Sequence, residues 1–298
     1  MSAQTPAPEK LARFNVSAAR RRRDRIARGT ILAATVLALI PLLLIIYYLL
    51  DKGLSSWSPS FFTTDPTGNT FFKNSSIGGI KSAIFGTIEM VALASVISVP
   101  IGVGVAVWLV EYGRSSWFAQ LVRFFIDVLT GVPSIVFGLF IYIVLIVGTG
   151  SSFAGYKGAL ALSLLMLPVV TRSAEVILLL VPGALRESAL ALGAPRWRVI
   201  FSIVLPTALP GMVTGVLLAV ARAAGETAPL LFTAAAANST SFNLGGFMNS
   251  LPVQIYSDVT SPTTAVVNRA WGAALTLVVM ILLLNLIARL IARRSRLA

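Results

Sequence analysis

The sequence predicts an all-α, polytopic membrane protein with about six transmembrane helices, both termini on the same inner side. Three observations lead there. Of the 298 residues 56% are hydrophobic and 12% charged, whereas soluble domains carry about 25% charged residues. Mean hydropathy is +0.86. Apolar runs of about 20 residues, the length that crosses a bilayer core, recur at 30–50, 82–110, 120–148, 158–181, 207–234 and 271–291.

Residues 1–29 read as a basic cytoplasmic tail. Up to about residue 18 they are polar, hold Pro6 and Pro8 and show no apolar periodicity, so disorder is expected there. Arg20 to Arg23, Arg25 and Arg28 then precede the run Ile31 to Leu50. A basic stretch before an apolar one resembles a signal peptide, but this run is long enough to span and no small-residue cleavage site closes it. It is read as a retained first helix, 30–50, followed by an extracytoplasmic loop, 51–81.

The remaining spans form a core, 82–291, with a short tail, 292–298. Pro100, Gly102 and Gly104 interrupt the second span, and Pro133 interrupts the third within TGVPSIVFGLF. Two readings stay open. Bilayer helices tolerate such residues when neighbours re-satisfy the freed backbone groups, and broken helices also line transport pathways.

Charge sets the orientation. With the N-terminus inside, the inner segments hold seventeen Lys and Arg: Lys10, Arg13, the six arginines before the first span, Arg114, Arg123, Arg186, Arg196, Arg198, Arg289, Arg293, Arg294 and Arg296. The outer segments hold five: Lys52, Lys73, Lys81, Lys157 and Arg269. The outer connections 51–81, 149–157 and 235–270 are rich in Ser, Thr, Asn, Gly and aromatics and read as docking surface or caps.

Several classes of chemistry fall away. A net charge of +13 could suggest a nucleic-acid binder, but the cations flank apolar spans and no nucleic-acid-binding motif lies among them. With no Cys and no His, disulfides, thiol catalysis, Cys-based zinc sites and the commonest general base are absent. No G-x-x-x-x-G-K-[ST] loop occurs, since GGIKS at Gly78 to Ser82 lacks the spacing and lies on the outer side. The chain is therefore not expected to hydrolyse ATP or to be an enzyme.

The segment 182–206 is unusual for an inner connection. Pro182 and Gly183 open it, RESALAL follows, GAP interrupts, and RWRVIFSI runs to Leu205 and Pro206. This predicts two short helices at an angle, hinged at Gly193 to Pro195. A stiff hairpin on the membrane surface could seat in the groove of a partner and carry its closure into the bundle as a rigid displacement.

These residues resemble the EAA signature of ABC importer permeases: Glu-Ala-Ala, three residues, Gly, nine residues, Ile, one residue, Leu-Pro. The matching positions are Glu187, Ser188, Ala189, Gly193, Ile203, Leu205 and Pro206, with Ala194 and Pro195 completing the turn. Ser188 stands where the family usually has Ala, which bears on how tightly that position packs. The resemblance implies a type-1 importer permease (MetI-like) fold and coupling to an ATPase through 187–206.

Further stretches narrow the resemblance: EYGRSSW, DVLTGVPSIVFGLF, LPVVTRSAEVI, ARAAGETAPLLFT and LPVQIYSDVTSP. As a set they resemble the PstA-type permease of the bacterial phosphate importer. That implies a heterodimer with a PstC-type permease, a PstB-type ATPase pair binding ATP and Mg, a PstS-type extracytoplasmic phosphate-binding protein, and residence in the bacterial inner membrane. No cofactor is expected in this chain, and no nucleic-acid partner.

A charged side chain within a span costs at least about 2.5 kcal/mol and is a functional candidate by default. Arg222 and Glu226 sit at i and i+4, and Arg172 and Glu175 three apart, each pair on one helical face. Arginine offers paired, permanently charged donors to an oxyanion, and Thr171, Ser173 and Thr227 add hydroxyls. These residues are candidates for the substrate path, with Arg172 able to snorkel from a helix end and Glu89 close to the outer surface. A purely structural Arg222–Glu226 pair is the alternative. Rival functions are an importer of another oxyanion such as sulfate or molybdate, a secondary transporter, for which no internal repeat is evident, and a membrane enzyme, for which no polar constellation is evident.

Overall fold

The computed structural model describes residues 18–67, 77–113, 115–235 and 237–294, with side chains to residue 290. The chain divides into two compact units between Tyr48 and Leu49. The first holds most of helix α1, Ala18–Ser56, which begins on Ala and Arg, both good helix formers. The basic cluster from Arg20 is thus helical, whereas the tail expected before it lies outside the described residues apart from Ala18. Pro41 sits inside α1, and the apolar side chains around it are exposed, as suits a helix solvated by lipid.

The second unit opens with the end of α1, where Gly53 lies against Leu275 and the Ser56 hydroxyl donates to the Asn268 carbonyl at 2.8 Å. Helix α2, Pro59–Thr63, is capped by the Ser58 hydroxyl, which accepts from the Phe61 amide. Helix α3, Lys81–Val107, continues as a π-helical turn, Trp108–Gly113. The second span is not interrupted at Pro100, as the sequence suggested: α3 runs straight through it. Gly102 has a packing role instead, because a β-carbon there would fall 2.8 Å from Val170 Cγ1.

The third span is the broken one. Helix α4, Trp117–Gly131, and helix α5, Ser134–Ile141, with its π-helical continuation Tyr142–Val147, meet at 101°. Pro133 lacks an amide hydrogen and disfavours a helical Val132, so the helix stops there. Taking this bent pair as one crossing gives six candidate spans among the described residues, and five without it.

Helix α6, Gly155–Leu179, is the most enclosed and packs against α3, α4, α5 and the later helices. Helix α7, Gly183–Ala191, follows. The second arm of the expected hairpin is not a separate helix. Helix α8, Arg196–Val199, passes through a π-helical stretch, Ile200–Val204, into α9, Leu205–Ala224, giving one 29-residue helix from Arg196. Pro206 lies inside this continuous helix, directly after the π-helical stretch, a local irregularity of the hydrogen-bond ladder where a residue without an amide hydrogen is accommodated.

The fifth span was expected to run to residue 234, but its helix stops at Ala224 on the Gly225 cap, and Ala228–Leu231 forms the short α10. The outer segment 235–270 is also partly helical, with α11 at Leu251–Val259 and α12 from Thr264 to Arg294, past the expected end at 291.

The register of α6 against α9 sets depth. Gly211 and Gly215, a G-x-x-x-G pair, face Ile177 and Ser173, and a β-carbon on Gly215 would fall 2.5 Å from Ser173 Cβ. The helices are therefore antiparallel and nearly in backbone contact. Continued along both axes, this register sets Arg222 level with Met166, near the middle of α6, and Arg172 about 9 Å nearer the α7 end. It also leaves Arg196 to Ala208 projecting about 20 Å past the end of α6.

Candidate functional site

The turn after α7 is built by local geometry. Gly193 has φ +82°, its amide donates to the Leu190 carbonyl at 3.0 Å, and the Ala194 amide donates to the Ala189 carbonyl at 3.2 Å. This is a Schellman motif, which a glycine accommodates without the penalty a side chain would bring. Pro195 then caps α8. Of the signature positions, Glu187, Ser188, Gly193, Pro195 and Pro206 are exposed, Ala189 is buried, and Ala194, Ile203 and Leu205 are half-buried. Because Ser188 points outward, its departure from Ala leaves the packing of this chain untouched. Leu192 at the tip is 89% exposed, with Trp197 and Phe201 also open beside it.

One buried apolar residue, Ala189, holds α7 to the bundle, in a cluster with Val181, Val199, Val204 and Ala208. Arg186 adds a polar anchorage. Its Nε donates to Glu111 Oε1 at 3.0 Å, with Nη2 at 2.9 Å from the same oxygen, while Nη1 and Nη2 donate to the Val181 and Leu178 carbonyls at 2.6 and 2.8 Å. Leu178 is in the last turn of α6, where its carbonyl also accepts from the Val181 amide at 3.3 Å, and Val181 lies just past the helix end. Glu111 lies in the π-helical turn that ends α3.

Glu175 lies in the last two turns of α6, and its side chain is 3% exposed. Oε1 accepts from Arg123 Nε at 2.6 Å and Oε2 from Arg172 Nη1 at 2.9 Å, while Arg172 Nε lies 3.7 Å from Asp127. Arg123 Nη2 also donates to the Leu109 carbonyl at 3.1 Å. The sequence paired Arg172 with Glu175 and missed Arg123 and Asp127, because α4 brings Arg123 to Glu175 across 52 residues and Asp127 to Arg172 likewise from far along the chain. This cluster ties α3, α4 and α6 at the end that carries α7.

Arg222 and Glu226 form the second pair, Nε to Oε1 3.5 Å. They do not share a helical face as the spacing suggested, because α9 ends at Ala224 and the pair closes across its end. Arg222 is half-exposed, Glu226 is 16% exposed, and Thr227, half-buried, is the N-cap residue just before α10. A cation in the last turn of α9 also suits the helix dipole. Beyond this break, Pro229 lies against Gly138 of α5, so the segments that follow the two broken spans pack together. The hydroxyl of Thr171 is committed to the Leu167 carbonyl at 2.8 Å. Ser173 is instead a packing partner of Gly215.

At the opposite end two cations counted as flanking charge are buried. Lys157 donates to the Ser151 hydroxyl and the Ser152 carbonyl, at 2.6 and 2.5 Å. Arg269 grips Asp258 with two bonds of 2.7 Å and donates to the Ile77 carbonyl. Gln254 and Asn249 extend this network to Ser82 of α3. No pattern in the sequence joins Asp258 to Arg269, since they lie on different helices. Glu89 of α3 keeps one carboxylate oxygen buried without a hydrogen-bond partner.

Residues 98–297 match the family described as binding-protein-dependent transport system inner membrane component. The chain is 40% identical over 279 residues to the phosphate transport system permease protein PstA of Yersinia pestis, covering 93% of this chain and 92% of that one. It is 40% identical over 281 residues to PstA 1 of Mycobacterium tuberculosis, covering 93% of this chain. Among solved structures it resembles a chain of a bacterial alginate ABC transporter, with TM-score 0.64 at 16% identity over 92% of this chain and 96% of that chain. It also resembles a chain of the MetNI methionine ABC transporter, with TM-score 0.57 at 21% identity over 73% of this chain and 94% of that chain.

Proposed function

The chain belongs to the family of binding-protein-dependent transport system inner membrane components, and from that premise we propose that it is the permease subunit of an ATP-driven importer of inorganic phosphate. The observation that carries the cargo is 40% identity to PstA relatives over 93% of the chain. The turn at Gly193 with Leu192 at its tip, projecting beyond the bundle, supports the coupling role. In this reading the α7 turn lies in the cytoplasm of a bacterium, both termini lie on that side, and the chain resides in the inner membrane.

The partners follow from what this chain lacks and exposes. A PstB-type ATPase pair holds ATP and Mg and receives the α7 turn in a groove. A PstC-type permease completes the pathway, and a PstS-type protein delivers phosphate at the opposite end. The chain itself is non-catalytic. Arg222, Glu226 and Thr227 lie on the phosphate path, at a helix break near the middle of α6, where a half-exposed guanidinium can offer two donors to an oxyanion. Arg172 and Glu175 lie further along, toward the ATPase.

The test is phosphate uptake by cells carrying Arg222→Ala. Assembly with the partner subunits should persist while uptake falls to background, and normal uptake would remove Arg222 from the path. Sulfate and molybdate competition against phosphate separates the cargoes. Competition by either at equal potency would move the assignment to a broader oxyanion importer.

A further inference from the structure

Resting on the importer reading, we infer that the Arg186–Glu111 ion pair is the tie that carries the displacement of α7 into α3. The two routes out of α7 differ in stiffness. Along the chain, α7 is joined to α6 through Leu180 to Pro182 and to the helix from Arg196 through Leu192 to Pro195, the latter a turn built around a left-handed glycine that can flex. Through space, its apolar grip on the bundle is the single buried Ala189. A push on α7 would mostly pivot it about these points.

Arg186 removes that freedom. All three of its nitrogens are engaged, on Glu111 and on the Leu178 and Val181 carbonyls, and the side chains of the pair are 15% and 10% exposed. A planar guanidinium held at that many points resists rotation more than a lysine ammonium would. The same side chain thus joins α7, the end of α6 and the π-helical turn Trp108–Gly113.

That turn is gripped a second time. Arg123 of α4 donates to the Leu109 carbonyl, two residues before Glu111, and pairs with Glu175 of α6. A π-helical turn is a local irregularity in an α-helix, often found where function needs one. Here it meets two arginines arriving from different helices. Motion entering at Arg186 therefore reaches α3, α4 and α6 together. Glu111 is a positioning residue in this account, since it contacts neither phosphate nor ATP.

The experiment uses the whole complex in proteoliposomes and reads phosphate transported per ATP hydrolysed. Glu111→Gln keeps the shape and removes the charge. The expected result is a ratio about tenfold lower, within the usual range of coupling between sites, with the ATPase still co-purifying. A wild-type ratio, or loss of the ATPase from the complex, would overturn the tie. Because the chain has no cysteine, Glu111→Cys with Arg186→Cys adds only two thiols to it. A short bis-methanethiosulfonate, which bridges them through two disulfides and releases sulfinate, should restore the ratio, and reduction of those disulfides should abolish it. A bridged pair that stays uncoupled also overturns the proposal. Failure of the unaltered chain to co-purify with an ATPase would instead sink the importer reading itself.

Discussion

Replacing Arg269 with Met isolates the cost of an unpaired buried carboxylate. In the folded chain Arg269 makes two 2.7 Å bonds to Asp258, whose side chain is 3% exposed. Removing one partner of such a pair costs about 3–5 kcal/mol, because the remaining charge stays buried. Asp258 keeps one bond, from Gln254 at 2.7 Å, so the lower end of that range, about 3 kcal/mol, is the expected loss. At about 2–4 °C per kcal/mol, thermal unfolding of the purified chain in detergent should begin about 6–12 °C earlier. The double variant Arg269→Met with Asp258→Leu should recover at least half of that loss, since an apolar pair leaves no charge behind. A single variant that melts within about 2 °C of the parent would show that water or another group reaches Asp258, and the buried-pair reasoning would fail.

Three further outcomes are expected. Gly193→Asp puts a side chain on a φ of +82° with open space around it, so the cost of about 1–2 kcal/mol is conformational; hydrolysis by the partner ATPase should then no longer respond to the loaded binding protein, and a full response would rule out the coupling role. Gly215→Leu drives bulk into Ser173 and should cost at least about 1–3 kcal/mol, seen as a lower melting temperature, whereas an unchanged value would mean that α6 and α9 are not in close contact. Burial would raise the pKa of Asp65, but the Thr240 hydroxyl and amide, the Lys81 charge and the Ser82 amide outweigh it and hold the group below its ordinary 3.8. Its contribution is therefore full above pH 3.8 and is lost as the pH falls through the lower folded value, so the protection of the Thr240 amide, its exchange measured against the intrinsic rate at each pH, should fall on acidification in the parent and lose that dependence in Asp65→Asn.

Much of this fold was legible because its signals are local. Span length, flanking charge and the Glu187–Pro206 spacing depend on residues close in sequence. Pro133 announced a break in the third span, since a missing amide and a restricted neighbour act where they stand. Pro100 misled for the same reason: it announces a break where it stands, yet α3 continues through it with Pro100 itself exposed. The continuity of α8 with α9 was hidden by Pro206, which reads as a stop yet sits directly after a π-helical stretch that carries the helix past it. Long-range pairs were out of reach. Arg123 looked like flanking charge until α4 delivered it to Glu175, and Arg269 until α12 delivered it to Asp258. The G-x-x-x-G at Gly211 and Gly215 is by contrast a local signal, legible in the sequence, for the α6–α9 contact.

The unbroken helix from Arg196 to Ala224 turns the bundle into a lever. Its 29 residues make a bar about 43 Å long, with the α7 turn at one end and Arg222 at the other. A tilt of about 5° about the end near Arg196 sweeps Arg222, about 39 Å away, through about 3.4 Å, more than the length of a hydrogen bond. The same tilt moves Gly215 by about 2.5 Å, so α6, packed on it at Ser173, travels with the bar; on the proposed phosphate path the swing at Arg222 is large enough to make or break a hydrogen bond to an anion without a hinge inside the bar.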